Sequence, residues 1–266
     1  MINLIIALVC YLASVTGSIC GIGGGVIIKP VLDATGVMPV TTISFLSGCT
    51  VLSMSGVSLL SSSKCGKKYG DNWEVDRAFA VVISLGSIVG GLAGKEIFQM
   101  IVKNSPNPDY IGGVQAVVLV LLTAGTLVYS LFKNMIKTKR VTIKGIAFIA
   151  GFLLGVISSF LGIGGGPFNL IVLFYLYSMS EKQAAVYSLY VIFLSQISSI
   201  LSALLQRDIP EFSVYMLLLM CACGVLGGLT GSKINRFIKN QTLNKLFIGM
   251  ITIIIFINIF NITKYI

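Results

Sequence analysis

Histidine is absent from this sequence, and acidic residues are scarce, nine Asp and Glu in 266 positions. Without imidazole, and with a single Cys-x-Cys pair at Cys221 and Cys223, no zinc or iron–sulfur ligand set can be assembled, and no cofactor is called for. A membrane-embedded sulfur-transfer enzyme working through Cys20 or Cys49 would lack a base for its thiol, because the acids fall almost entirely in loops. The pattern G-x-x-x-x-G-K-[ST] is also missing, so there is no P-loop ATP site. The six cysteines, scattered mainly through apolar stretches, read as small buried hydrophobes and not as disulfide partners.

Charge of both signs is the next shortage. Only 11% of residues are charged and 56% are hydrophobic, against about 25% and about 45–50% in a soluble domain. With a mean hydropathy of +0.96, this is the composition of a membrane protein. Uncharged runs such as 114–132 and 212–232 have spanning length, roughly 20 residues. The opening stretch MINLIIALVCYLASV lacks a positive leader and a small-residue cleavage site, so it is expected to be a span and not a signal peptide.

The net charge of +10 does not imply nucleic acid, since Lys and Arg gather in loops and form no stripe. Lys64, Lys67, Lys68 and Arg77 fall in one loop, Lys133, Lys137, Lys139, Arg140 and Lys144 in a second, and Lys233, Arg236, Lys239 and Lys245 in a third. The positive-inside rule places all three on the cytoplasmic side, against anionic lipid headgroups.

Ten apolar runs are present, at about residues 2–17, 24–38, 40–62, 77–95, 113–133, 145–161, 166–179, 184–205, 212–232 and 247–263. One crossing per run puts the three basic loops on one side, whereas treating each glycine-linked pair as a shallow re-entrant loop would leave the loop at 233–246 opposite the others. Ten crossings, five in each half, therefore fit the charge better. Some runs are short, and the pairs joined at glycine can also be read as broken hairpins of half-helices.

The halves repeat each other. CGIGGGVIIKP at Cys20 to Pro30 returns as LGIGGGPFNL at Leu161 to Leu170, and SIVGGLAGKEI at Ser87 to Ile97 returns as GVLGGLTGSKI at Gly224 to Ile234. Two ordered matches and an odd number of crossings per half predict an all-α, polytopic helical membrane protein. Its two inverted-topology repeats, residues 1–133 and 145–266, are joined by a basic cytoplasmic linker at 134–144, and each holds a Gly-interrupted broken hairpin.

The GGLAG and GGLTG segments read as close helix packing. Four glycines in five positions are a poor helix, at roughly 1 kcal/mol each relative to Ala, so GIGGG predicts an unwound turn. Such backbone at membrane depth is either buried in protein or lines a binding cavity, and its free N–H groups and following helix dipole favour an anion. The candidate binding residues are Gly23, Gly24 and Gly25 with Gly164, Gly165 and Gly166. Lys29 joins them as a charge inside an apolar run, with snorkelling to an interface as its other reading, and Asn169 occupies the equivalent stretch. Polar residues on the helices that follow (Thr41, Thr42, Ser44 and Ser47; Gln183, Tyr187, Ser188, Ser195 and Gln196) add Ser44, Ser188 and Gln196 as donors to an oxyanion. Asp33 reads either as a proton-linked site or as an exposed helix end.

The doubled GIGGG, the Ser/Thr-bearing helix after it and the G-G-x-x-G helix ends resemble the TauE/SafE family of sulfite exporters and sulfonate permeases over nearly the whole chain. The resemblance implies a multi-pass carrier of the bacterial inner membrane for a small sulfur-containing anion, sulfite or an organosulfonate. It would work as a secondary transporter by alternating access between the repeats, with net export assisted by an inside-negative potential. A passive anion channel is the alternative, and the cysteine-dependent enzyme a weaker one. The expected partners are the anion and membrane lipids, with no nucleic acid; a homo-oligomer is left open.

Overall fold

A computed structural model of the protein describes residues 2–63, 76–104, 109–136, 138–141, 143–207 and 209–265. Among them the chain forms ten α-helices: α1 Ile2–Cys20, α2 Gly25–Thr35, α3 Val40–Ser63, α4 Arg77–Asn104, α5 Asp109–Phe132, α6 Lys144–Leu161, α7 Pro167–Tyr177, α8 Glu181–Leu205, α9 Val214–Phe237 and α10 Asn240–Tyr265. Eight are long and apolar enough to cross a membrane. Large apolar side chains such as Leu4, Leu121 and Phe256 face outward, as in a bundle solvated by lipid. The protein is a polytopic helical membrane protein.

The two exceptions are α2 and α7, 11 residues each. At 1.5 Å per residue they reach about 16 Å, half of a bilayer core. Each follows a GIGGG turn, so in both hairpins one arm is a full helix and the other a glycine turn continued by a half-helix. The turn folds back along its own helix: the Ile22 N–H donates to the Gly17 carbonyl, and a Cβ on Gly17 would lie 2.5 Å from the Gly24 nitrogen. α2 then runs back beside α1, where Ile28 and Leu32 pack with Ile6, Cys10, Ile43 and Leu46. Gly36 in the left-handed region ends α2 by donating to the Asp33 carbonyl. At α7 the turn differs because Pro167 forces the residue before it into extended backbone, and Gly166 has φ −161°.

The halves interlock. α1 lies along α9 in the same direction, with Tyr11 and Ser14 beside Gly227 and Val15 and Ser18 beside Gly231. The counterparts α6 and α4 do the same, with Gly86, Gly90 and Gly94 against the backbone of Phe148, Phe152 and Val156, and Gly151 and Gly155 against Ile83 and Ser87. Exchanging the halves also turns the α3–α9 contact into α8–α4 and the α2–α10 contact into α7–α5, while α3–α8 and α5–α10 map onto themselves. α3 and α8 cross the centre antiparallel, with Gly48 beside Gln196 and Gly56 beside Phe193.

One end of the bundle gathers the basic segments. Lys133 pairs with Glu181 at the start of α8 and reaches Asn244 near the start of α10, while Arg236 donates to the Ser61 carbonyl and hydroxyl near the end of α3. The linker joins the same end, where Lys139 and Val141 donate to the Tyr175 and Leu176 carbonyls of α7. Lys64, Lys67, Lys68 and Lys137, with Cys65, lie outside the described residues.

The glycine seams bring backbones closer than any side chain allows. A Gly90→Val protein is expected to lose about 1–3 kcal/mol from forced separation of α4 and α6. Gly125, whose Cβ would meet nothing within 4 Å, is the control: Gly125→Ala is expected to melt at or above the parent temperature in detergent.

Candidate functional site

The two GIGGG turns meet at the centre. Gly25 sits against the backbone of Ile163, where a Cβ would collide with the carbonyl oxygen, and a Cβ on Gly23 would lie 3.8 Å from the Gly164 carbonyl oxygen. Val51 of α3 and Ile192 of α8 close over them, one from each half: a Cβ on Gly164 would come within 2.6 Å of Val51, and on Gly165 within 2.5 Å of Ile192. Gly23 and Gly164 adopt matching positive φ values, 78° and 72°. Gly23, Gly24 and Gly25 therefore do share one place with Gly164, Gly165 and Gly166. That place is packed, and the cleft lies beside it.

This cleft is narrow, with about 20 Å³ of space inside it, and is formed by α3, α4, α6 and α8. Two of the sequence candidates, Ser44 and Gln196, line it, joined by Gly48, Lys95, Phe98, Ser159, Gly162 and Ser199. Gly162 carries the edge of the second turn into the wall, against Ser44. The Ser44 hydroxyl, the Ser159 hydroxyl and the Gln196 amide nitrogen are buried with no hydrogen-bond partner among the described residues. Such groups cost on the order of 1–3 kcal/mol each when left unmade. The Lys95 ammonium lies 5.3 Å from the centre of the Phe98 ring, and Lys95 is part of the cleft wall. The mouth faces away from the basic segments, because Lys95 approaches the end of α4 and Ala203 the end of α8.

The remaining sequence candidates fall elsewhere. Lys29 is 3% exposed and neither lines the cleft nor reaches an interface; its ammonium is 2.8 Å from the Asp33 carboxylate one turn on. Asp33 is buried as well, because α2 continues beyond it to Thr35. Asn169 and Ser188 are fully buried and bonded to each other, the amide nitrogen donating to the hydroxyl at 3.3 Å. Gln183 forms the capping box of α8 with Ser180. Cys20 is buried with its thiol 3.9 Å from the Met250 sulfur, and Cys49 is half-buried; neither lines the cleft.

Sequence reasoning missed Lys95, Ser159 and Ser199. A signal existed for Ser159: both copies read Ser-x-x-GIGGG, with Ser18 before the first turn. Lys95 ends a segment read as packing, and only the approach of α4 to α8 brings it to the cleft.

The arrangement is an apolar bundle with glycine turns meeting at its centre and a polar cleft entered from one end. The profile of the sulfite exporter TauE/SafE family matches residues 6–257, and the chain belongs to that family of membrane transporters. It is also similar, at 25% identity over 260 residues covering 87% of this chain and 88% of the relative, to the probable membrane transporter protein YunE of Bacillus subtilis (strain 168). No solved structure matches. Membership in a transporter family points away from an enzyme.

Breaking the Lys29–Asp33 pair leaves a lone charge in an apolar setting, which costs about 3–5 kcal/mol for a buried pair. Lys29→Met and Asp33→Leu should each lower the melting temperature sharply, and the double variant should recover most of the loss. A strictly additive double-mutant cycle would show that the two do not interact.

Proposed function

We propose that the protein is a secondary transporter that moves a small sulfur-containing anion, sulfite or an organosulfonate, across the bacterial inner membrane by alternating access between inverted repeats. The observation that carries this reading is the convergence of the orphaned Ser44, Ser159 and Gln196 donors on a cleft that Lys95 also lines. Hydroxyl and amide donors around one cation suit an oxyanion of tetrahedral or pyramidal shape. Family membership supports sulfur as the central atom. The reciprocal contacts of the two halves support a pseudo-two-fold arrangement, and the clustering of basic segments at one end supports a cytoplasmic position for that end. The glycine turns then act as the shared pivot beside the site. Export is the favoured direction, because an inside-negative potential drives an anion outward by about 2.3 kcal/mol per charge per 100 mV.

Purified protein in proteoliposomes should take up radiolabelled sulfite or methanesulfonate with saturation and counterflow. Linear, non-saturating flux without counterflow would make it a channel. Ser44→Ala and Gln196→Leu should each raise KM about tenfold or more without loss of folded protein, each removing a charge-assisted donor of about 1.5–3 kcal/mol. Replacing all the cysteines with Ala or Ser should leave the flux intact, and a dead cysteine-free protein would revive the thiol chemistry.

A further inference from the structure

Aligning the two GIGGG motifs pairs Ser159 with Ser18, and aligning GGLAGKE with GGLTGSK pairs Lys95 with Ser232. The central helices align through their glycine contacts: Gly162 sits on Ser44 and Gly21 on Ala185. Ser58 and Ser199 then stand the same number of positions further along α3 and α8. The cleft residues Lys95, Ser159 and Ser199 thus have Ser232, Ser18 and Ser58 as their counterparts.

Those counterparts also come together, and they are closed. The Ser18 hydroxyl is 2.8 Å from that of Ser58 and 3.1 Å from that of Ser232, and the Gly228 carbonyl accepts from Ser18 at 3.2 Å and from Ser58 at 3.4 Å. All three serines are buried, at 2%, 0% and 6% exposure. Two further contacts seal the same end: Asn235 donates to the Ile19 carbonyl and Arg236 to Ser61. Equivalent positions therefore hold an open cleft with an orphaned Ser159 hydroxyl at one end and a satisfied serine cluster at the other.

We propose that Ser18, Ser58 and Ser232 form the second mouth of the anion pathway, latched shut in this conformation, and that on opening their hydroxyls turn from one another to the anion. A hydroxyl suits this task because its proton rotates to whichever acceptor is present, so latch and ligand use the same groups. The mouth lies at the basic end, near Arg236, opposite the cleft. This inference rests on the transport reading, and the test below separates the two.

In a cysteine-free protein, Ser58→Cys and Ser199→Cys are introduced singly and treated with a membrane-impermeant maleimide in vesicles of known orientation. Ser199→Cys should react from the cleft side. Ser58→Cys should react only from the opposite side, at least tenfold more slowly, and Ser232→Ala should raise that rate several-fold by weakening the latch. Ser199→Cys labelling in the presence of Ser232→Ala reports that the variant is folded. A disulfide between Ser18→Cys and Ser232→Cys should abolish methanesulfonate flux, with recovery in dithiothreitol; sulfite is unsuitable here because it cleaves disulfides. Labelling of Ser58→Cys from the cleft side, no labelling even with Ser232→Ala, or full flux through the cross-linked protein would overturn the proposal. Two-sided labelling as expected, with no sulfur anion moved by the parent, would uphold the second mouth and reject the assigned substrate.

Discussion

Everything in this structure depends on the backbone-to-backbone contact between the two glycine turns. A side chain on Gly25 would strike the Ile163 carbonyl, and the flanking space is filled by Val51 and Ile192. Because the turns occupy the centre, α2 and α7 are limited to half-length, and the long helices must close around them. The cleft is consequently displaced to one side of the crossing, where four helices from both halves can supply its wall.

Several features were legible in the sequence because they are local or periodic. Apolar length gave the ten segments, charge gave the common end of the basic loops, and four glycines in five positions gave the breaks. Ser44 and Gln196 were accessible for a similar reason, as polar positions on the helices that follow the breaks. The site as a whole was not, since its other residues depend on which helix of one half touches which helix of the other. Lys95 reaches the cleft through the approach of α4 to α8, and no pattern within α4 announces that neighbour.

Lys29 shows the opposite failure. An ammonium in an apolar run beside a proposed anion site is an attractive ligand, yet its carboxylate partner stood four residues away. Reading Asp33 as either a proton-linked site or an exposed helix end hid the pair; Asp33 is buried, two residues before the end of α2. The pair leaves α2 with no net side-chain charge, so its burial can be understood without invoking substrate. Asn169 and Ser188 are bonded to each other across α7 and α8, while the Asn169 carbonyl oxygen has no partner among the described residues.

The interlocked glycine seams bear on how the chain is made. Ser18 of α1 finds its partners on α9 across 210 residues of sequence, an interval of about 10–40 s at synthesis rates of about 5–20 residues/s. Until then the face that α1 turns to α9 lacks that partner, and Ser18 has only Ser58 of α3 within its own half. α4 waits less, since α6 follows after one intervening helix. The first helix to be made therefore completes its packing only when the ninth is in the membrane.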